Sequence, residues 1–230
     1  MNTLAPRQTL DRQLKKLNEN ILMLSSMVEE ATLKSVTAFQ NRDVTLAKLI
    51  YAGDERINEI RFSLENETLT IIATQQPMAR DLRILASTLE VITELERMGD
   101  YAKGIAKITL LLSNQPPLPY PSQVSKMAEL AVDMLHQAIG AFAEQDAATA
   151  EQIPLRDDEV DALYNEVNRW LIKLVSSEPA SIDRANYLMW AAHNLERMAD
   201  RVTNICERTL FIVTGKLQEL GVSDDEFGAS

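Results

Sequence analysis

The chain has 230 residues, and its 34 acidic against 23 basic side chains give a formal net charge of −11 at pH 7, which argues against nucleic-acid binding through the net field. Hydrophobic residues make up 46% while Gly is only 7 residues and aromatics 5%. That is enough apolar material for a sizeable core and a composition suited to helices, so disorder is excluded and an all-α fold is expected.

The opening MNTLAPRQTLDRQLKK carries charges and no apolar secretory stretch, and no later run approaches the roughly 18 apolar residues of a membrane span. Cys206 is the only cysteine, which rules out an intramolecular disulfide and a multi-cysteine zinc site. The expectation is a soluble, cytoplasmic protein without direct membrane insertion. Helical periodicity then runs over 8–40, 44–75 and 79–112. The stretch SNQPPLPYPS follows, with Pro116, Pro117, Pro119 and Pro121; fixed φ and missing N–H donors make 113–121 a linker. Three further helices are predicted at 122–144, 147–176 and 180–214, and residues 216–230 read as a solvated acidic tail. Pro154 falls inside the fifth helix, where an interior proline costs about 3 kcal/mol, so that helix starts late or is kinked.

The two halves repeat. ELERMGDYAKGIAKI at 94–108 lies against NLERMADRVTNICER at 194–208 with an offset of 100. Upstream the offset is 103: AFQNRD (38–43) meets AFAEQD (141–146), and DERIN (54–58) meets DDEVD (157–161). The change falls between the second and third helices of a unit, where an indel is cheap. Two tandem, pseudo-symmetric three-helix bundles, 8–112 and 122–215, make up the expected architecture of six long helices.

Within this repeat, Glu96 and Asp100 stand four residues apart on one helical face, as do Glu196 and Asp200. Like charges at this spacing repel by about 0.2–0.5 kcal/mol, a sign that a cation between them would reverse. Small residues flank both pairs: Gly99, Ala102 and Ala106 in the first unit, Ala199 and Cys206 in the second. Further acids align across the repeat, Glu30 with Asp133 and Asp54 with Asp157, while Asn58 aligns with Asp161. Oxygen donors from all three helices of a unit would suit Mg²⁺, Mn²⁺ or iron rather than zinc. The plainer alternative is that these acids are solvated helix faces paired with Arg97, Arg197 or lysines. His193 precedes Glu196 by three residues, the reverse of the Glu-x-x-His order of carboxylate-bridged sites, and its repeat counterpart is Thr93. His136 is isolated, so both histidines read as structural, and Cys206 reads as a buried, unreactive thiol. No nucleophile elbow, Walker loop or dinucleotide fingerprint is present.

The doubled L-E-R-M-x-D, together with PMARDLR at 77–83, resembles the PhoU family, accessory proteins of the phosphate-specific transport system, over about residues 10–215. The resemblance implies two pseudo-symmetric three-helix bundles in a cytoplasmic, commonly dimeric protein without enzymatic chemistry. It also implies negative regulation of phosphate-starvation signalling, by linking the ATPase of the ABC phosphate transporter to a sensor histidine kinase. Family members bind metal through E-x-x-x-D or D-x-x-x-D motifs, which fall here on Glu96, Asp100, Glu196 and Asp200. Asn58 departs from the acidic pattern and implies a weaker first site. Two rival readings are a Mg²⁺-dependent all-α nucleotide pyrophosphohydrolase, whose E-x-x-E and E-x-x-D spacings this chain lacks, and a purely structural helical scaffold.

Overall fold

The structure is a computed structural model that describes residues 6–220. It contains α1 (Pro6–Asn41), α2 (Val44–Gln75), α3 (Arg80–Leu112), α4 (Ser122–Glu144), α5 (Ala147–Gln152), α6 (Asp157–Ser177) and α7 (Ile182–Thr214). There is no strand among the described residues, and no described helix is long and apolar enough to cross a membrane. The helix predicted at 147–176 is divided. Buried Ile153 and Pro154 lie in a 3-10 turn over Ile153–Arg156, and α6 begins afresh at Asp157. Of the predicted acidic tail, Leu220 folds back so that its N–H donates to Glu207 Oε1 at 2.9 Å, and residues 221–230 lie outside the described residues.

The repeat is visible in the turns. Arg42 (φ 55°) and Gln145 (φ 56°) are both left-handed residues just past a helix end. Asp43 N–H donates to Ala38 O at 2.9 Å, and Asp146 N–H to Ala141 O at 2.8 Å, so each turn satisfies the orphan carbonyls of the preceding helix. The same aspartates then cap the next helix, Asp43 accepting from Leu46 N–H and Asp146 from Thr149 N–H. Gln76 (φ 48°), just before the PMARDLR segment, and Ala79 (φ 47°) within it turn α2 into α3. The segment's charged side chains hold distant elements: Asp81 pairs with Arg7 of α1, Arg80 donates to Gln145, and Arg83 donates to Ile212 O at 3.3 Å near the end of α7.

The two units pack along their first and third helices. α3 runs antiparallel to α7, with Arg208 reaching Glu90, Arg201 reaching Glu94, and Gly104 facing Asn194. A Cβ on Gly104 would stand 2.9 Å from Asn194 Nδ2, so any larger residue there would make the Asn194 amide turn aside. α1 meets α4 in the same sense, through Asn18 to Ala143 O (3.3 Å) and Glu29 to His136 (3.5 Å). Leu24, Leu64, Leu85, Leu95 and Met98 of the first unit and Met134, Leu135, Val167, Leu195 and Met198 of the second belong to one continuous apolar core. Each such side chain contributes about 1.5–3 kcal/mol on burial. α2 and α6 lie on the outer flanks, each against its own unit. That placement sets α2 against α3, and α6 against α7, with the acid motifs between them.

Candidate metal sites

The second unit sets four acids on two helices packed against each other. Asp157 and Asp161 lie one helical turn apart on α6, and Glu196 and Asp200 one turn apart on α7. Burial pushes the Asp157 carboxyl up to about 7, with the charges of Asp200, Asp161, Glu196 and Asp158 adding to it. Glu196 is likewise pushed up to about 7 by burial, then by Asp200 and Asp161, against the pull of Arg197. Asp161 and Asp200 are raised too, burial again leading in both. Asp157 Oδ1 and Glu196 Oε2 are buried and accept no hydrogen bond; His193 Nδ1 lies 3.0 Å from the latter, outside hydrogen-bond geometry. Among the described residues no three Asp, Glu, His or Cys side chains stand close enough to hold one ion as placed.

The first unit is built differently. Asp54 of α2 is only 4% exposed, yet it does not face an all-acid cluster. Lys103 of α3 sets its Nζ 2.5 Å from Asp54 Oδ2, and Asn58 Nδ2 donates to the same oxygen at 3.0 Å. The hydrogen bond to Asp54 raises the Lys103 pKa, and Nζ also sits 5.5 Å from the centre of the Tyr51 ring. Asp54 Oδ1 is left without a partner, on the side of Gly99. Glu96 is raised by burial and then by Asp100, but Arg61 and Arg97 act in the opposite direction.

The acids predicted on the first helices do not join either cluster. Glu30 is exposed and pairs with Lys34 at 2.5 Å, one turn along α1. Asp133 is exposed as well, accepts from Arg156 at 2.6 Å and Gln137 at 2.8 Å, and is held below its ordinary value by the Arg156 hydrogen bond. The convergence expected of all three helices is therefore corrected to two, the second and third of each unit. The residue that motif counting missed is Lys103. It lies three residues after Asp100 and seven after Glu96, hence on their face of the helix, and its repeat counterpart is the neutral Thr203. Arg61 was missed in the same way, its counterpart being Tyr164.

The Cys206 thiol is buried and pushed up to about 12 by that burial, which keeps it protonated and inert. Arg197 stacks on Tyr101 of the first unit at 4.9 Å rather than pairing within its own site. A cavity of about 140 Å³ under the Pro-rich linker is lined in part by Phe39, Tyr120 and Leu188. Its two arginines are already used on backbone carbonyls, Arg42 at Leu112 O (2.7 Å) and Arg184 at Pro116 O (3.3 Å).

Comparison with known proteins agrees with this architecture. The family model for the PhoU domain matches twice, at residues 21–109 and 124–209. A phosphate-specific transport system accessory protein PhoU homolog of Clostridium acetobutylicum is 30% identical over 215 residues, 93% of this chain and 98% of that protein. The homolog of Streptococcus pneumoniae is 33% identical over 214 residues, covering 93% and 99%. Among solved structures, the phosphate transport system regulatory protein PhoU from Streptococcus pneumoniae superimposes with a TM-score of 0.85 at 31% identity, covering 92% of this chain and all of that one. PhoU from Pseudomonas aeruginosa gives 0.84 at 28%, covering 90% and 99%. With both halves matched by one domain model, and near full-length likeness in sequence and in fold, the chain belongs to the PhoU family.

Proposed function

We propose that the chain is a non-enzymatic, cytoplasmic negative regulator of phosphate uptake and phosphate-starvation signalling, acting as a homodimeric adaptor between the ATPase subunit of an ABC phosphate transporter and a sensor histidine kinase. The observation that carries this reading is the doubled domain match, together with coverage of 98% and 99% of relatives that are accessory proteins of the phosphate-specific transport system. Deleting the gene in phosphate-rich medium should derepress phosphate-starvation promoters, and co-purification should recover the transporter ATPase and the kinase. Unchanged reporter expression in the deletion strain defeats the proposal.

The reading extends to metal in the second unit. Asp157, Asp161, Glu196 and Asp200 would hold a divalent cation such as Mn²⁺, Mg²⁺ or Fe²⁺, whose charge would offset their repulsion and tie α6 to α7. What supports this is the donor set, all oxygen, and the two buried carboxylate oxygens there that have no hydrogen-bond partner. Side-chain rotation is needed to close the set on an ion. The first unit offers no such set, because Lys103 already engages its most buried carboxylate.

A further inference from the structure

The acid clusters of the two units differ in the same sense at three aligned positions, while a fourth difference, His193 beside Glu196 at 3.0 Å against Thr93 in the first unit, brings a group that is cationic only when protonated. Where the second unit has Asp161, Tyr164 and Thr203, the first has Asn58, Arg61 and Lys103. The second cluster thus holds four carboxylates and no cationic side chain of α6 or α7 at these places. The first holds three carboxylates, Asp54, Glu96 and Asp100, with the Lys103 ammonium on Asp54 and the Arg61 guanidinium, itself paired with Glu65 at 2.9 Å, acting on Glu96. We propose that Lys103 takes the place of a metal ion in the first unit and closes that unit's acid cluster to cations.

The geometry carries this. Lys103 Nζ is 2.5 Å from Asp54 Oδ2, on the carboxylate that is buried deepest in the cluster and on an oxygen that a metal would need. Asn58 donates to the same oxygen at 3.0 Å, filling its remaining acceptor capacity, so that of this carboxylate only Oδ1, unpartnered on the side of Gly99, is left to an ion and Lys103 would stand one atom away from it. The ammonium is itself held in place, 31% exposed along its side chain and lying over the Tyr51 ring at 5.5 Å. Pro154, the repeat counterpart of Tyr51, sits in the 3-10 turn and offers no such ring. Binding a cation at Asp54 would require ejecting a fixed positive charge from a largely desolvated partner, which is costly for the carboxylate left behind.

The inference rests on the reading of the second unit as a metal site, and its test separates the two. Full-length protein is loaded with Mn²⁺, desalted, and its metal counted per chain. Lys103→Thr, which installs the residue of the second unit, should hold one more ion per chain than wild type, and adding Glu96→Gln and Asp100→Asn should remove that extra ion. In wild type, Glu96→Gln with Asp100→Asn should leave the count unchanged. Lys103→Arg, which keeps the charge, should behave as wild type, and Lys103→Gln, which keeps a donor for Asp54, replaces Lys103→Thr if the latter does not fold. A Lys103→Thr or Lys103→Gln protein that folds yet binds no more than wild type overturns the inference, as does a wild type that loses an ion with Glu96 and Asp100. Wild type holding no metal at all defeats the second-unit reading instead, and the Lys103→Thr comparison still decides this one.

Discussion

Pro154 ends α5, and the 3-10 turn after it makes Asp157 the first residue of α6, a position where the helix dipole by itself would favour the carboxylate. Burial and the charges of Asp200, Asp161 and Glu196 outweigh that, and the group is pushed up to about 7. The sign of the linkage follows. A carboxyl whose folded pKa lies above its unfolded value near 4 costs nothing below pH ~4 and destabilises the fold progressively as pH rises toward 7. Asp157→Asn should therefore converge on wild type as pH falls to about 4 and be more stable at pH 8, by about 1–2 kcal/mol once solvent screening of a half-exposed group is allowed for. Urea titrations of metal-free protein at the two pH values check this; a gap independent of pH would remove repulsion as the cause. The four central acids were legible in the sequence because they repeat at helical spacing. Lys103 was legible only as one of the lysines that could pair with these acids, because spacing does not say which cation reaches which carboxylate on a neighbouring helix. Glu30 and Asp133 misled for a related reason: alignment across the repeat pairs positions, but both fall on the outward face of their helices, two residues from buried Val28 and Ala131.

The helices themselves were mostly written in local chemistry. The sequences AFQNRD and AFAEQD build the same left-handed turn and aspartate cap, so the ends of α1 and α4 and the starts of α2 and α5 lie where the polar breaks place them. Asp43→Ala or Asp146→Ala should each cost about 1 kcal/mol in chemical denaturation, the usual loss of an N-cap. Packing between helices was less legible. In the first unit a Cβ on Gly99 would lie 3.3 Å from both Cδ1 and Cγ2 of Ile57. The aligned positions in the second unit are Ala199 and Val160. One unit thus uses the larger α2 residue with the smaller α3 residue, and the other divides the volume more evenly. Gly99→Ala should gain helix propensity of about 1 kcal/mol and lose as much or more to overpacking. Combining it with Ile57→Val relieves the Cδ1 contact, so the double mutant should exceed the sum of the singles by about 0.5–1 kcal/mol in a double-mutant cycle. Additive effects there would show that the two helices do not press on each other at this point.

On the scale of the molecule, the repeat predicts two units but not how they join. An apolar stripe on a helix specifies that it must be covered, not by which neighbour, and so nothing in the periodicity of α3 distinguished its own unit from α7. In the structure Met198 of α7 is fully buried and takes a 3.5 Å contact from Thr32 Oγ1 of α1, and Arg201 donates to Tyr101 and Glu94 of α3. Because the core is continuous across both units, a change confined to α6 and α7 should be felt by the whole fold as one cooperative transition. This gives metal a global readout. A cation that binds the folded second unit and not the unfolded chain stabilises by about 2.7 kcal/mol at a hundredfold excess over Kd. For a chain of this size that raises Tm by about 5–11 °C, at about 2–4 °C per kcal/mol. Mn²⁺ should thus shift a single transition upward, and EDTA should reverse the shift. Glu196→Gln with Asp200→Asn should abolish the increment while raising the metal-free Tm, since two of the repelling charges are gone. Glu96→Gln with Asp100→Asn should keep the full increment, because Lys103 leaves the first unit nothing for the ion to offset. Two resolved transitions, of which only one moves with Mn²⁺, would instead show that the units unfold separately despite their shared core.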